Sequence, residues 1–514
     1  MTLRALVPAR RELGAALASA VLFGIAFPPF RLLVPVFLCL VPAAVVAARL
    51  GDEGASWRAA ARFGAWFGAV GYGINLYWIA VALAIYTDLA FLGYIGALLV
   101  LTPMVALAMV IIVAARRATR LPMALLLPVV WVALELALNY LGPLAFPWLP
   151  LGLALARHPL VIQFADLSGV RGVSVWIAAI NGLVADAWLG RASARAVAAR
   201  FAAVAALVAA AAGYGAWRMR TTVMRPAAAV AVVQPNIPQI EKWQRDNRGK
   251  IVGILARLSR QAVAADDPQL LVWPEAALPG FLVDQPDWAD TVRAIASASR
   301  TPMIFGVLDV RFLPGNDYRY FNAAMFADAA GRIGVQRTYH KTYLVPIVER
   351  VPFLDPRWFR KWNYFGGYAH GGPPHPFVLP FGKVGVLICY ESIFPERSRT
   401  DRLEGVSVLL NITNDAWFGR SLAPYQHEAH LAFRAIENRV GIVRDANTGI
   451  SAWIDPLGRF HGETGLFVPA TRTYDVQTTD VLTLYDHLGD WVGALGMLAT
   501  VGLVAVALRR RTAS

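Results

Sequence analysis

The chain has 514 residues, enough for several domains, and 57% of them are hydrophobic whereas only 16% are charged. This balance excludes an ordinary soluble protein and is typical of a membrane protein with one sizeable soluble part. The net charge of +14 does not indicate a nucleic-acid-binding protein, because many arginines flank apolar segments and the sequence has neither zinc-finger spacing nor a basic face interleaved with aromatic residues.

Long apolar segments dominate the first 217 residues and predict about seven transmembrane helices, since about 20 residues are needed to cross the hydrocarbon core. The predicted spans are 13–29, 32–49, 60–84, 89–114, 122–141, 170–190 and 198–217. An eighth predicted span, 488–508, ends in three arginines. We therefore predict a membrane domain at 1–217 and a C-terminal transmembrane helix with a basic cytoplasmic tail at 488–514.

Arginine placement predicts the orientation of these spans. Arginines cluster before the first span, between the second and third, fourth and fifth, and sixth and seventh, and after the eighth, while the alternate loops carry few. Cytoplasmic loops are the ones enriched in arginine and lysine. The pattern predicts that both termini are cytoplasmic and that residues 218–487 lie outside, which in a double-membrane bacterium is the periplasm.

Residues 218–487 have a different pattern, in which short β-rich runs alternate with helical stretches. The predicted strands are Ala228–Val233, Leu270–Trp273, Pro302–Val307, Asn322–Ala327, Val384–Ile388, Val406–Asn411, Gly441–Arg444 and Ser451–Ile454, and the predicted helices include Asn247–Ala265 and Trp288–Ser299. This alternation predicts an α/β fold built on a central sheet.

Cys389 lies at the end of the apolar run Val384–Ile388, which is typical of a strand buried on both faces. A thiol where such a strand opens into a turn is a position at which α/β enzymes carry a nucleophile, although a lone cysteine can equally be a small buried hydrophobic residue. The other cysteine, Cys39, lies inside a predicted span, so we expect no disulfide between them. Neither cysteine belongs to a metal-ligand cluster.

Two charged residues elsewhere in the soluble region suit catalysis by a nucleophilic cysteine. Glu275 follows the run Leu270–Trp273 and suits a general base, while Lys341 suits a partner for an oxyanion or a thiolate. A solvated glutamate and a surface lysine are the alternatives. His340 is adjacent to Lys341, but on an extended chain its side chain points the opposite way, so we build no Cys–His pair on it, although such a pair is the main alternative.

The order Glu275, Lys341 and Cys389 resembles the Glu–Lys–Cys triad of the nitrilase superfamily. Because predicted transmembrane segments flank this region, the chain closely resembles the family of bacterial apolipoprotein N-acyltransferases. Further motifs that carry the resemblance are Val233-Gln234-Pro235-Asn236-Ile237-Pro238, Lys242-Trp243, Leu344-Val345-Pro346, Glu349, Pro352-Phe353 and Asn414-Asp415-Ala416-Trp417-Phe418-Gly419. One departure is that Glu349-Arg350 precedes Val351, where we expect glycine, glutamate and phenylalanine or a similar sequence.

The resemblance implies a nitrilase-like αββα sandwich carried by a membrane α-helical bundle in the bacterial inner membrane. It implies transfer of an acyl chain from the sn-1 position of a phospholipid, preferably phosphatidylethanolamine, to the N-terminal amine of diacylglyceryl-cysteine in an apolipoprotein. This is the last step of lipoprotein maturation. The partners are therefore the phospholipid donor, the diacylated acceptor and the membrane, and no cofactor, metal or nucleic acid is expected.

The implied mechanism is ping-pong. Glu275 deprotonates Cys389, which becomes acylated as a thioester, and Lys341 stabilises both tetrahedral intermediates together with a backbone N–H near Cys389. Glu349 is implied as an additional active-site carboxylate.

Several neighbouring residues are implied to support this site. Tyr390 and Glu391 are expected to shape it. The aromatic residues Trp243, Trp417 and Phe418 either line the pocket or are buried core residues. The aromatic, glycine-rich loop 350–372 is either a mobile amphipathic arm or an interfacial patch.

Two other functions are compatible with the residues. A membrane-tethered amidase of the nitrilase type would use the same triad with water as the acceptor. A non-enzymatic transporter or binding scaffold is the alternative from another class, but Glu135 and Asp186 are the main ionisable residues deep in the predicted spans, which gives little support for an ion pathway.

Overall fold

The computed structural model describes residues 7–85, 87–191, 193–315, 317–355 and 367–512. The chain forms two compact units. The first contains the described residues up to 80, those between 87 and 221, and those from 487 onward. The second contains residues 81–85 and the described residues between 222 and 486.

The first unit is helical and the second is mixed. In chain order the α-helices are α1 (Arg10–Ala26), α2 (Val41–Asp52), α3 (Trp57–Leu76), α4 (Trp78–Leu83), α5 (Ala90–Thr119), α6 (Met123–Asn139), α7 (Pro159–Ile162), α8 (Ala165–Leu189), α9 (Ala194–Thr221), α10 (Gln239–Lys242), α11 (Arg248–Asp266), α12 (Pro286–Ser299), α13 (Pro395–Leu403), α14 (Ala423–Asn438), α15 (Leu484–Leu488) and α16 (Trp491–Thr512).

Within the described residues, five helical segments are long and apolar enough to cross a membrane. They are Pro35–Asp52, Ala90–Thr119, Ala165–Leu189, Ala194–Thr221 and Trp491–Arg511. Helix α6 is apolar but shorter, and the predicted span 60–84 is divided between α3 and α4. The predicted helical membrane bundle is confirmed, while the number of eight spans stays a prediction.

The two carboxylates noted inside the predicted spans hold backbone groups of the first unit. Asp186 accepts hydrogen bonds from the N–H groups of Met123 and Ala124, both at 3.0 Å, and so caps the start of α6. Glu135 accepts from the N–H of Leu151 at 2.7 Å. Unsatisfied N–H groups are costly at membrane depth, so both carboxylates have a structural task.

Within the part of the second unit that the structure describes, there are twelve strands. They are β1 (Arg225–Gln234), β2 (Leu270–Trp273), β3 (Met303–Leu313), β4 (Asp317–Ala327), β5 (Tyr339–His340), β6 (Phe377–Leu379), β7 (Gly382–Ile388), β8 (Val406–Thr413), β9 (Gly441–Ala446), β10 (Ala452–Ile454), β11 (Phe460–His461) and β12 (Ala470–Thr478). They form two six-stranded sheets, in the orders β12-β1-β2-β3-β4-β5 and β11-β10-β9-β8-β7-β6.

The two sheets pack together between layers of helices. Strands β1 and β12 of the first sheet contact β9 of the second. Helices α11 and α12 bury Leu255 and Val292 against the first sheet, and α14 buries Leu431 and Ala435 against the second. The predicted αββα sandwich is therefore confirmed.

Burial on both faces explains the apolar strands that carry the candidate residues. Every residue of β2 and β8 is buried, and β8 lies parallel to β7 and β9. Parallel strands covered on both faces read as near-continuous apolar runs. Their carboxyl ends bring the polar residues that follow them to the edges of the sheets.

Gly306 in β3 lies against the backbone that carries Glu275. A Cβ atom at this position would lie 2.7 Å from both Glu275 Cα and Ala276 N, and also against Pro274 O. We expect Gly306→Ala to lower the thermal unfolding midpoint, because backbone must move at an overpacking cost of about 1–3 kcal/mol. Gly253→Ala in α11, where nothing lies within 4 Å, is the control and should leave the midpoint unchanged or higher. Equal midpoints for the two variants would contradict the packing argument.

Candidate active site

Cys389 occupies a sharp turn directly after β7. Its φ of 50° places a non-glycine residue in the left-handed region, and a 3₁₀ turn over Cys389–Ile393 begins there. This conformation costs about 1–2 kcal/mol and persists only when its surroundings hold it. The side chain lies at a strand end where the chain reverses direction, which is a suitable position for a nucleophile.

Glu391 holds this turn to the segment that carries Lys341. Its carboxylate accepts from the Ile388 N–H at 2.8 Å, from the Thr342 N–H at 2.6 Å and from the Tyr339 hydroxyl at 2.7 Å. The Thr342 hydroxyl donates to the same carboxylate at 2.7 Å. Glu391 is fully buried, so it shapes the site by joining two chain segments.

Lys341 lies between two carboxylates. Its Nζ atom is 2.9 Å from Glu349 Oε1 and 3.3 Å from Glu275 Oε1, and the lysine is only 1% exposed. Asn322 Nδ2 donates to the same two oxygens, at 2.6 Å to Glu275 and 3.1 Å to Glu349. The second oxygen of Glu275 accepts from the Asn414 N–H at 2.8 Å. The arrangement fixes both carboxylates and the ammonium group as one cluster.

The charges of this cluster act on Cys389. Burial raises the pKa of the Cys389 thiol well above its usual range, Glu275 raises it further, and Lys341 and a hydrogen bond with Thr413 oppose the rise. Burial alone would lower the pKa of Lys341, but Glu349, Glu275 and Cys389 outweigh it and keep that pKa well above its ordinary value. The lysine is therefore a permanent cation, and the resting cysteine is a neutral thiol.

The other predicted site residues lie in different surroundings. Tyr390 is buried, and its ring packs edge-on against Phe394. Trp243 is half-buried and packs against an apolar cluster formed by Ala276, Leu308, Leu344 and Tyr368. Trp417 is half-buried, and Phe418 is buried with its ring edge-on to His427. Residues 356–366, the centre of the predicted arm, lie outside the described residues.

Sequence reasoning did not assign Asn322, Asn414 or Lys242 to the site. Lys242 is buried and donates to the Glu275 carbonyl oxygen at 3.0 Å. Burial lowers its pKa to about 8, against the opposing effect of Glu275. Lys242 and Asn414 lie in motifs that carry the family resemblance, and these motifs were the sequence signal for them. Asn322 is brought to the site by the pairing of β4 with β5. The predicted orientation of His340 agrees with its hydrogen bond to Asp309 at 2.7 Å.

Comparison with known proteins shows the family of the chain. Residues 229–483 match the carbon-nitrogen hydrolase family, so the second unit is an enzyme domain of the nitrilase superfamily. Residues 19–183 match the apolipoprotein N-acyltransferase N-terminal domain. An apolipoprotein N-acyltransferase from Geobacter metallireducens is 33% identical over 98% of this chain and 96% of its own length. The chain belongs to the apolipoprotein N-acyltransferase family and is an N-acyltransferase.

Other relatives carry the same name. The apolipoprotein N-acyltransferase from Brucella suis is 30% identical over 98% of this chain and 97% of its own. The one from Chlorobaculum tepidum is 31% identical over 75% of this chain and 77% of its own. Among solved structures, an amidase from Nesterenkonia sp. is 20% identical, covers 53% of this chain and 97% of its own, and has a TM-score of 0.36.

Replacing Glu391 tests its role as the clamp between the two segments. Glu391→Gln turns an amide NH₂ toward N–H and O–H donors, so buried donors lose their acceptor at a cost of about 1–3 kcal/mol. We expect a lower thermal unfolding midpoint and slower acyl transfer. Glu404→Gln, at an exposed position of the same unit, should change neither. An unchanged midpoint for Glu391→Gln would exclude the clamp.

Proposed function

We propose that this enzyme moves an acyl chain from the sn-1 position of a phospholipid, preferably phosphatidylethanolamine, to the N-terminal amine of diacylglyceryl-cysteine in lipoproteins. One observation carries the proposal. The Lys341 ammonium group is bonded to Glu275 and Glu349 and interacts electrostatically with Cys389, which stands in a strained turn at a strand end. This set supplies a base, a permanent cation and a nucleophile, as acyl transfer requires.

In the first half-reaction Glu275 removes the Cys389 proton as the sulfur attacks the ester carbonyl carbon. The carbonyl oxygen becomes an oxyanion, which Lys341 stabilises together with a backbone N–H near Cys389. The ester C–O bond then breaks, Glu275 returns the proton to the departing oxygen, and lysophospholipid leaves. Cys389 remains as a thioester. Because Lys341 stays charged at neutral pH, the oxyanion meets a fixed positive charge.

In the second half-reaction the amine of the diacylated lipoprotein attacks the thioester carbon. A second oxyanion forms at the same place, the C–S bond breaks as the amide forms, and the amine proton passes through Glu275 to the sulfur. Glu349 holds Lys341 in position throughout. Water in place of the amine would make the enzyme an amidase-like hydrolase, so the acceptor distinguishes the two functions.

An apolar wall beside Glu275 suits the hydrocarbon part of the donor. Ala276 directly follows Glu275 and packs with Leu308, Leu344 and Tyr368, against which Trp243 also packs. Such a surface favours acyl chain over water at about 25 cal/mol per Å² of buried apolar area. The position of Trp243 against this cluster supports it as a residue that contacts substrate. We propose that Trp417 and Phe418, in the motif 414–419, support the active site.

The arginine pattern supports the proposed placement in the bacterial inner membrane. We propose a membrane domain at 1–217, a periplasmic catalytic domain at 218–487 and a transmembrane helix with a cytoplasmic tail at 488–514. Both substrates then reach the site from the outer leaflet.

Replacing the nucleophile tests the mechanism directly. Cys389→Ala should lower acyl transfer from labelled phospholipid to a diacylated lipopeptide by at least about a thousandfold, because the thioester cannot form. Intact mass analysis should show an acyl adduct on the native enzyme and none on the variant. Cys39→Ala, at a buried cysteine of the first unit, is the matched control and should keep both signals. Transfer that survives in Cys389→Ala would overturn the mechanism, and release of free fatty acid without lipopeptide acylation would favour the amidase.

Cysteine labelling tests the orientation. In a chain lacking Cys39 and Cys389, Asp284→Cys should react with a membrane-impermeant maleimide in intact spheroplasts. Glu53→Cys, in the arginine-rich loop after the second predicted span, should react only after permeabilisation. Both positions are exposed, so access alone does not separate them. The reverse labelling pattern would invert the proposed topology.

A further inference from the structure

A second buried cluster lies behind the Cys389 turn, on the carbonyl side of its peptide group. His427 of α14 places Nε2 3.0 Å from the Cys389 carbonyl oxygen, and the Ser392 hydroxyl donates to that oxygen at 2.9 Å. His427 Nδ1 lies 3.1 Å from Asp415 Oδ1, and Arg444 donates to Asp415 Oδ2 at 2.5 Å. All five residues except Cys389 are at most 1% exposed. Two members of the cluster, His427 and Ser392, thus contact the same backbone atom, the Cys389 carbonyl oxygen.

The hydrogen of His427 Nε2 follows from its neighbours. A carbonyl oxygen only accepts, and the single hydrogen of the Ser392 hydroxyl, 3.1 Å from Nε2, is directed at the same carbonyl, so we assign the Nε2 hydrogen to the bond with Cys389. The other nitrogen, Nδ1, lies 3.1 Å from Asp415 Oδ1, which only accepts, so Asp415 holds the ring when Nδ1 also carries a hydrogen and donates to that carboxylate. Burial by itself raises the pKa of Asp415, but Arg444 and His427 outweigh it and lower that pKa to about 2. Asp415 therefore stays an anion that orients the ring.

Two donors on the Cys389 carbonyl fix the plane of the next peptide group. In a trans peptide the C=O and the following N–H point in opposite directions. The orientation of the Cys389 carbonyl therefore sets the direction of the Tyr390 N–H. Because Cys389 sits at φ 50°, an unfavourable conformation, this plane needs contacts outside the turn to hold it.

We propose that His427, oriented by Asp415 and Arg444, is a positioning residue that aims the Tyr390 backbone N–H at the oxyanion of both tetrahedral intermediates. The inference rests on the proposed function of Cys389. In this proposal His427 acts through the peptide plane and not on the sulfur. Ser392, His427 and Asp415 have the contacts of a Ser–His–Asp triad, but the Ser392 hydroxyl is fully buried and donates to Cys389, so it is a second anchor and no nucleophile.

Comparing two reactions of the same sulfur tests the proposal. Acyl transfer builds an oxyanion, whereas alkylation of Cys389 by iodoacetamide displaces iodide and builds none. Loss of an oxyanion donor costs about 10²–10³ in rate, so a misdirected one should cost about 10- to 100-fold. We expect His427→Ala to slow thioester formation and lipopeptide acylation by that factor, with KM for phospholipid unchanged. Alkylation of Cys389, followed by peptide mass analysis, should keep its rate within about twofold.

Two further variants separate positioning from folding. His427→Gln can place a side-chain N–H toward the carbonyl and should recover most of the lost kcat. Asn438→Ala removes an equally buried polar side chain from the same helix and should leave kcat unchanged. The hydrogen bonds of the Asn438 side chain go to Ser398 and to the Arg434 carbonyl oxygen. A parallel fall in alkylation and acyl transfer in His427→Ala, or full activity of that variant, would overturn the inference. Activity that survives Cys389→Ala would instead overturn the proposed function beneath it.

Discussion

The need to pair one buried ammonium group organises the catalytic unit. Lys341 is almost fully enclosed, and an uncompensated buried charge costs several kcal/mol. Glu275 follows β2 and Glu349 lies in the loop after β5, two strands of the same sheet, so the end of β2 and this loop must meet at the lysine. The two carboxylates in turn require the donors of Asn322, Asn414 and Val345. Burial, with the charge of Glu275 added, raises the pKa of Cys389 and keeps the neighbouring thiol protonated until a substrate carbonyl accepts its electrons.

The sequence was sufficient for the parts of the site that follow apolar strands. The runs before Glu275 and Cys389 are short, continuous and β-branched because β2 and β7 are buried inside a layered fold, and this burial is visible residue by residue. Periodicity also predicted α11 and α12 to within about two residues, a normal uncertainty for helix ends. The helical character of the membrane unit was predictable because the length and apolar composition of its segments are local properties of the chain, whereas its orientation stays a prediction.

Local sequence patterns did not predict the long-range strand pairing or the buried polar contacts. Strand β12 lies beside β1 although most of the domain separates them, and its alternating sequence does not specify that neighbour. Helix α14 contains Glu428, Arg434 and Glu437, which suggest a solvated face, yet every one of its residues except Tyr425 is buried. Those charges are accommodated because the helix is covered on all sides and partners such as Arg434 and Glu437 pair with each other at 2.7 Å. Only the three-dimensional structure shows that the His427 side chain contacts a backbone carbonyl oxygen.

In the periplasm, the compartment proposed for the catalytic unit, the protonated state of Cys389 also bears on its resistance to oxidation. Disulfide exchange and peroxide oxidation both proceed through the thiolate. A sulfur whose pKa is raised by burial and by Glu275 is therefore a poor target for either reaction while the site is at rest. The described residues contain no disulfide and only one other cysteine, Cys39, which is also buried. The same desolvation that delays ionisation until substrate arrives thus also protects the sulfur from oxidation while the site is at rest.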